Sequence, residues 1–275
     1  MGLWPTPDLA ALLARSGADR ITLAFVVGGP QNAPAWAGVQ PWDWQQLKQM
    51  VDKSGPKRCV ASFGGASGVD LFLTSASEDD CVRSIGQMID LFGFDVLDFD
   101  VEGAAVAMVQ SVAKRNRCLK RIQDTYPDVH IHYTLPVMPD GLTADARNLL
   151  RNARDVGLQV HVVNIMAMDY GQGNPAMGDA AIEAALATKG QVDAIGLRYD
   201  GIGVTPMIGQ NDTGEVFTLE DAEKLAAFAR KTPWLTWISF WSVNRDVKKP
   251  GPLYQATNVT QEDNQFAKVL GRRSL

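Results

Sequence analysis

Two patterns of apolar positions alternate along the chain. Short runs rich in β-branched and aromatic residues are separated by longer segments in which apolar residues recur every three or four positions. The first pattern reads as buried strand and the second as amphipathic helix. A helix opens the chain, with Thr6 as N-cap, Pro7 at the first helical position and Gly17 as the stop after Ser16. Residues 21–27 predict a strand, 43–54 a helix closed by Gly55, and 59–63 a strand ending in Gly64-Gly65. Helix 77–92 stops at Gly93 and is followed by an acidic strand. Then come helix 104–126, strand 130–137, helix 143–156, strand 160–168, helix 179–188, a short strand 204–209, helix 218–231, strand 237–243 and helix 261–270. Helix 218–231 carries Glu220 and Asp221 in its first turn and Arg230 and Lys231 in its last, the sense the helix dipole favours.

The acidic strand is Leu91-Phe92-Gly93-Phe94-Asp95-Val96-Leu97-Asp98-Phe99-Asp100-Val101-Glu102-Gly103. Side chains on a strand alternate faces. Leu97, Phe99 and Val101 therefore share one face, and Asp98, Asp100 and Glu102 the other. Three carboxyls on one side of a buried strand oppose each other's ionisation, and burial opposes it again. Such a row persists when it shares protons for chemistry or holds a hard cation. A second acidic cluster at neighbouring strand ends, which a cation site would want, is missing, so acid–base chemistry is the expectation, with no metal and no cofactor. Asp95 has the opposite parity and is expected to cap or pair behind the sheet.

Strand–helix alternation over 275 residues with 46% hydrophobic content predicts an α/β chain forming one TIM (β/α)8 barrel domain across residues 1–275. The pattern supplies about seven strands where a barrel needs eight. The expectation is a barrel lacking its first strand, which would precede Met1 and lie between the strand from Ile21 and the last strand near Trp241. A formal net charge of -5 argues against a nucleic-acid partner. No run of about 18 apolar residues suggests a membrane span. The first residues lack the basic and then apolar pattern of a secretory signal. Cys59, Cys81 and Cys118 are expected as small core or interface residues.

Asp95-x-x-Asp98-x-Asp100-x-Glu102 resembles the DxxDxDxE signature of glycoside hydrolase family 18, the chitinases, and Ser62-Phe63-Gly64-Gly65 resembles that family's SxGG strand end. Thr134-Leu135-Pro136-Val137, the segments 164–171 and 205–212, and Ser239-Phe240-Trp241-Ser242 are similar, in order, to a bacterial branch. The resemblance spans essentially the whole chain. It implies a substrate-assisted retaining hydrolase, one of the exceptions to the two-carboxylate scheme. Glu102 would be the general acid and later the base, Asp100 would orient the substrate's acetamide, and Asp98 would share a proton with Asp100. The implied substrate is chitin or an N-acetylglucosamine oligosaccharide cut internally, and the protein is expected to be a secreted monomer active in polysaccharide degradation. Related chitinases also carry a first-strand Tyr near the residue matching Asp98, so a chain extended by about ten N-terminal residues is expected to be the more stable form.

The resemblance makes Trp241 the floor of the subsite for the N-acetyl sugar; an ordinary core Trp is the alternative. Ser62 and Gly64 would line the same site. Other branches carry a Tyr two residues beyond a Gln or Met, where this chain has Met168, so Met168, Asp169 and Tyr170 are the candidates here, with Tyr170 offered for the acetamide carbonyl against simple packing. Gln210, Asn211 and Asp212 would bind sugar hydroxyls or make a turn. Trp36, Trp42 and Trp44 would line further subsites or pack. His130 and His132 share a strand face without a third metal ligand. Gly171-x-Gly173 reads as a plain loop, and 114–120 as a solvated basic helix face. Two other functions fit the same residues: an endo-β-N-acetylglucosaminidase acting on N-glycans, and an inert chitin-binding barrel, which would typically have lost the acid.

Overall fold

A computed structural model describes residues 7–29, 33–36, 38–171 and 176–271. Seven parallel strands form its centre: β1 (Ile21–Gly28), β2 (Cys59–Gly64), β3 (Val96–Asp100), β4 (His130–Met138), β5 (Val160–Ala167), β6 (Tyr199–Pro206) and β7 (Leu235–Ile238). They pair in that order from β1 to β7, and a short antiparallel strand, Pro34–Trp36, lies on the far edge of β1. Among the described residues no pairing joins β7 back to β1. Among the described residues, eight helices of six or more residues connect or flank them: α1 (Leu9–Ser16), α2 (Gln45–Ser54), α3 (Glu78–Phe92), α4 (Val109–Thr125), α5 (Ala144–Asp155), α6 (Met177–Ile195), α7 (Leu219–Arg230) and α8 (Gln265–Leu270). The architecture is that of a TIM barrel.

The outward side chains of the strands and the inward faces of the helices make one core. On β3, Leu97 and Phe99 are buried there. Phe99 stacks on Phe63 of β2 with ring centroids 4.9 Å apart, and meets Tyr133 of β4 edge-on. The odd positions of β3 therefore hold the helices, and the even ones face the lumen, as the alternation predicted. Asp95 pairs with Arg20 through two contacts of 2.6 and 3.0 Å, the structural role expected of it. All three cysteines are buried and free.

Chemistry at the helix ends follows the sequence closely. Ser77, Thr143 and Thr218 each accept from a backbone N–H one turn on, and Thr218 and Asp221 complete a capping box. Gly17 and Gly93 close α1 and α3 at φ 71° and 70°.

Several boundaries differ from expectation. Helix α1 starts at Leu9 because the Asp8 carboxylate accepts from Ala11 N–H; Pro7 lies before this cap, and Thr6 lies outside the described residues. The helix expected over 104–126 is two, Ala104–Ala107 and α4, interrupted at the extended Met108. Helix α6 runs on to Ile195 through Gly190, which has open space around it. Strand β6 starts at Tyr199, five residues before the expected 204. Gly201 and Gly203 lie within this strand and make room there: a Cβ on Gly201 would meet the Thr236 side chain at 2.1 Å, and one on Gly203 would meet Asn164 Oδ1 at 2.7 Å. Strand β7 ends at Ile238, and α8 starts at Gln265 rather than 261.

Candidate active site

Register sets the site. Asp98 lies opposite Ser62 on β2 and His132 on β4, and Asp100 lies opposite Gly64 and Thr134. The Ser62 hydroxyl donates to Asp98 Oδ2 at 2.6 Å, and the Thr134 hydroxyl donates to Asp98 Oδ1 at 2.7 Å. Asn164 Nδ2 donates to Thr134 Oγ1 at 2.9 Å and to Thr205 Oγ1 at 2.7 Å, and Thr205 Oγ1 lies 2.6 Å from Ser239 Oγ. One chain of polar contacts thus crosses the lumen from β2 to the segment after β7.

Burial dominates the electrostatics. It pushes the Asp98 carboxyl up to about 6, against the opposing pull of the Ser62 and Thr134 hydroxyls. Asp100 is raised well above the ordinary carboxylate range by burial, then by the charges of Glu102 and Asp98. Glu102 hydrogen-bonds Asp100 and is also raised, chiefly by burial, with the Asp169 charge adding to it. These three groups interact too closely to titrate one by one, and the row as a whole retains protons at a pH where free carboxyls have lost them. Beneath them His132 is held neutral, down to about 3, by burial; it stands edge-on to Trp237 at 4.9 Å.

A cavity of about 380 Å³ opens beside Asp98 and Asp100. Ser62, Asp98, Asp100 and Thr134 line it, with Phe25 and Trp241 among its other walls. Trp241 is 39% exposed and stacks on Phe25, centroids 5.6 Å apart and planes 10° apart. An exposed indole face beside a row of protonatable carboxyls offers a platform for an apolar ring face and a proton source next to it. Among the described residues there is no group of three or more His, Cys, Asp or Glu able to hold a metal ion.

The other expected site residues divide. Gly64 brings two strands together: at φ 105°, its Cβ would lie 2.1 Å from Asp100 O. Asp169, at φ 53°, accepts through Oδ1 from the N–H of Asp212 at 2.8 Å, while its own N–H donates to Asn211 Oδ1 at 3.1 Å. Asn211 is fully buried and also holds Met207 O and Gly209 O, which is the turn role. Gln210 N–H donates to Thr257 O at 2.8 Å, and its side chain accepts from Asn258. Met168 and Asp169 are half-buried. Tyr170 is enclosed in the core, 5% exposed, and its ring does not line the cavity; its hydroxyl feels the charge of Glu183 on α6. Trp36 packs edge-on against Phe92 and Phe94 and donates to Leu23 O, so it is a packing residue. Trp42 donates to Gln40, and Trp44 packs against the core. His130 stacks on His161 at 4.2 Å, apart from His132. Gly173 lies outside the described residues.

Thr134, Asn164, Thr205 and Ser239 had no assigned roles in the sequence, and Phe25 was not singled out. Their signal is one polar residue near the C-terminal end of each apolar run. It acquires meaning only once the strands align.

No known protein-family model matches the chain. The chain is 33% identical over 288 residues to a probable bifunctional chitinase/lysozyme of Escherichia coli, covering 95% of this chain and 31% of that protein. It is 33% identical over 264 residues to endochitinase 11 of Metarhizium anisopliae, covering 88% and 50%. The chain thus spans half or less of the length of these curated relatives. The solved catalytic domain of a hyperthermophilic chitinase from Pyrococcus furiosus superposes with TM-score 0.90 at 29% identity, covering 99% of this chain and 92% of that one. Catalytic-site mutants of the corresponding Pyrococcus domain were solved in complex with chito-oligosaccharides, again with TM-score 0.90.

Proposed function

This chain belongs to glycoside hydrolase family 18, and on that premise we propose that it hydrolyses internal β-1,4 linkages of chitin or its N-acetylglucosamine oligosaccharides with retention of configuration. The observation that carries this reading is the carboxyl row Asp98, Asp100 and Glu102, raised in pKa, of which the buried Asp98 and Asp100 line a cavity with Trp241 in its wall and the half-buried Glu102 follows at the strand end.

The N-acetyl sugar lies on the Trp241 face. Glu102 gives its proton to the glycosidic oxygen as the bond to the anomeric carbon breaks. The acetamide oxygen of the same sugar attacks that carbon and forms an oxazolinium ion. Asp100 orients the acetamide N–H and balances the new positive charge, while Asp98, held by Ser62 and Thr134, shares the proton that Asp100 must give up or regain. Water then attacks the anomeric carbon from the face the leaving group vacated, giving its proton to Glu102, and the acetamide is restored. Met168, Asp169 and Gln210 flank the sugar at neighbouring strand ends, and Asp169 supports the protonated form of Glu102 through its charge. Tyr170 serves packing. The chain acts as a monomer outside the cell and needs no cofactor, nucleic acid or membrane.

Chitohexaose hydrolysis followed by NMR tests the proposal. Shorter oligosaccharides released as the β anomer are expected, with no cleavage of cellohexaose, which lacks the acetamide, and inhibition by a thiazoline mimic of the oxazolinium ion. Glu102→Gln should retain the fold and lose about 10²–10⁴-fold in kcat. An α-anomer product, or equal rates on cellohexaose, overturns the mechanism. Release of glycans from a high-mannose glycoprotein without action on chitohexaose identifies an endo-β-N-acetylglucosaminidase instead.

A further inference from the structure

Between α3 and α4, on the outer layer of the barrel, two thiols meet. Cys81 closes the first turn of α3, and Cys118 lies in the middle of α4. Both are fully buried. Three contacts set the helices against each other. Glu78 pairs with Arg117 at 2.6 Å, and Asp79 pairs with Arg121 at 2.7 Å. The Cys118 thiol itself donates to Glu78 O at 3.8 Å. Cys118 therefore lies over the first turn of α3. Residues three apart on a helix share a face, so Cys81 stands beside it.

The Cys81 thiol hydrogen-bonds the Cys118 sulfur. This bond, with the charges of Lys114 and Arg121 on α4, lowers the Cys118 thiol against the opposing effects of burial and Glu78. The same bond and burial raise Cys81. One thiol is thus the better nucleophile and the other keeps its proton. Cys59 is the contrast: it lies on β2, and burial pushes it up to about 11. Two cysteines whose side chains point apart cannot be bridged without moving backbone; Cys81 and Cys118 already point at each other.

We propose that Cys81 and Cys118 close into a disulfide that ties α3 to α4 and stabilises the part of the barrel carrying the carboxyl row. The segment between them holds β3 and Glu102. Closing it removes conformational freedom from the unfolded chain. The oxidant is a low-molecular-weight disulfide such as oxidised glutathione. The Cys118 thiolate attacks one of its sulfurs, the sulfur–sulfur bond breaks, and one glutathione leaves as thiolate. The Cys81 sulfur then gives up its proton and attacks the Cys118 sulfur of the mixed disulfide, and the second glutathione leaves. The two protein thiols are oxidised, the oxidant is reduced to two thiols, and the protons from Cys81 and Cys118 end on them. Both protein sulfurs are enclosed in the fold, so the exchange takes place before α3 and α4 dock. The docked helices then shield the bond from reductant.

Refolding the full chain in a mixture of oxidised and reduced glutathione tests this. After alkylation and digestion without reduction, mass spectrometry is expected to find the Cys81 and Cys118 peptides joined and Cys59 alkylated. This form should melt about 5–10 °C above the same chain refolded with dithiothreitol. Cys81→Ala should melt at one temperature after either treatment; if that variant does not fold, the two forms of the parent carry the comparison. Three alkylated cysteines, a bond that includes Cys59, or a joined form no more stable than the dithiol overturns the proposal. If the parent does not refold, parent made in an oxidising compartment is read by the same mass measurement, with the joined peptides supporting the proposal and three alkylated cysteines overturning it. None of these readouts involves a sugar, so a protein inactive on chitohexaose would retain the cross-link and lose only the proposed substrate.

Discussion

Ser62 and Asp98 face each other across two parallel strands, with the serine hydroxyl donating to Asp98 Oδ2 at 2.6 Å. The bond pulls against the burial that raises Asp98, as does the Thr134 hydroxyl on the other oxygen. Two hydroxyl donors lower the carboxyl, but burial outweighs them, and Asp98 stands at about 6. It is therefore poised to exchange a proton near neutral pH, which a carboxyl in water is not.

This balance makes stability depend on pH in a definite sense. Asp98 binds its proton more tightly folded than unfolded, so its contribution is complete below about pH 4 and is lost as pH rises through about 6. Asp98→Asn removes that loss while the amide can still pair with both hydroxyls. The variant should exceed the parent in Tm at pH 8, by up to about 3 kcal/mol of stability, and converge with it near pH 4, with turnover strongly reduced. Thermal melts at the two pH values test this; a difference independent of pH would refute it.

Gly64→Ala is expected to be severe. The new Cβ would sit 2.1 Å from Asp100 O, at a backbone φ of 105° that L-residues avoid. Nothing there is a flexible side-chain end that could give way. A loss of about 3 kcal/mol or more, with activity falling further than stability, is the expected outcome. Gly17→Ala is the control: φ is 71°, but no atom lies within 4 Å, so about 1–2 kcal/mol of backbone strain should be the whole cost. Comparable Tm losses for the two would show that the contact with Asp100 is not the cause.

The parts legible in the sequence are those governed by local chemistry. Ser77, Thr143 and Thr218 announce their helices because a hydroxyl one turn before an orphan N–H is a local event. The carboxyl row was legible because strand parity alone puts Asp98, Asp100 and Glu102 on one face. The start of β6 was not, because Gly201 and Gly203 look like turn residues until Thr236 and Asn164 are seen occupying the space they leave. The contacts from Thr134 through Asn164 and Thr205 to Ser239 link four segments, with partners 30, 41 and 34 residues apart. No window of sequence contains them. Tyr170 is a further case: it stands beside the half-buried Met168 and Asp169 yet is only 5% exposed, a difference its neighbours in sequence do not announce.

Trp241→Ala should act mainly on substrate. The indole is 39% exposed and touches Phe25 on one side, so little core is lost. About 2 kcal/mol of binding, roughly 30-fold in kcat/KM on chitohexaose, is the expected loss, with Tm lowered by only a few degrees. Trp241→Phe should recover most of it, since an aromatic face remains. Parental kcat/KM in the alanine variant would remove Trp241 from the sugar site.

The seam between β1 and β7 should be the least protected part of the barrel. Strand β7 is four residues long, pairs on one side with β6, and faces the large cavity through Trp237 and Ile238. Strand β5 is eight residues long, pairs on both sides and is buried almost throughout. Local opening needs less energy where fewer bonds and less apolar contact must be broken. An edge also leaves backbone groups without a ladder partner, a liability for association between copies. Native-state hydrogen exchange should therefore show the amides of Leu235–Ile238 exchanging about tenfold or more faster than those of Val160–Ala167. Chito-oligosaccharide stacked on Trp241, three residues beyond the end of β7, should slow them selectively. Equal protection of β7 and β5 without ligand would mean that the seam is closed in solution.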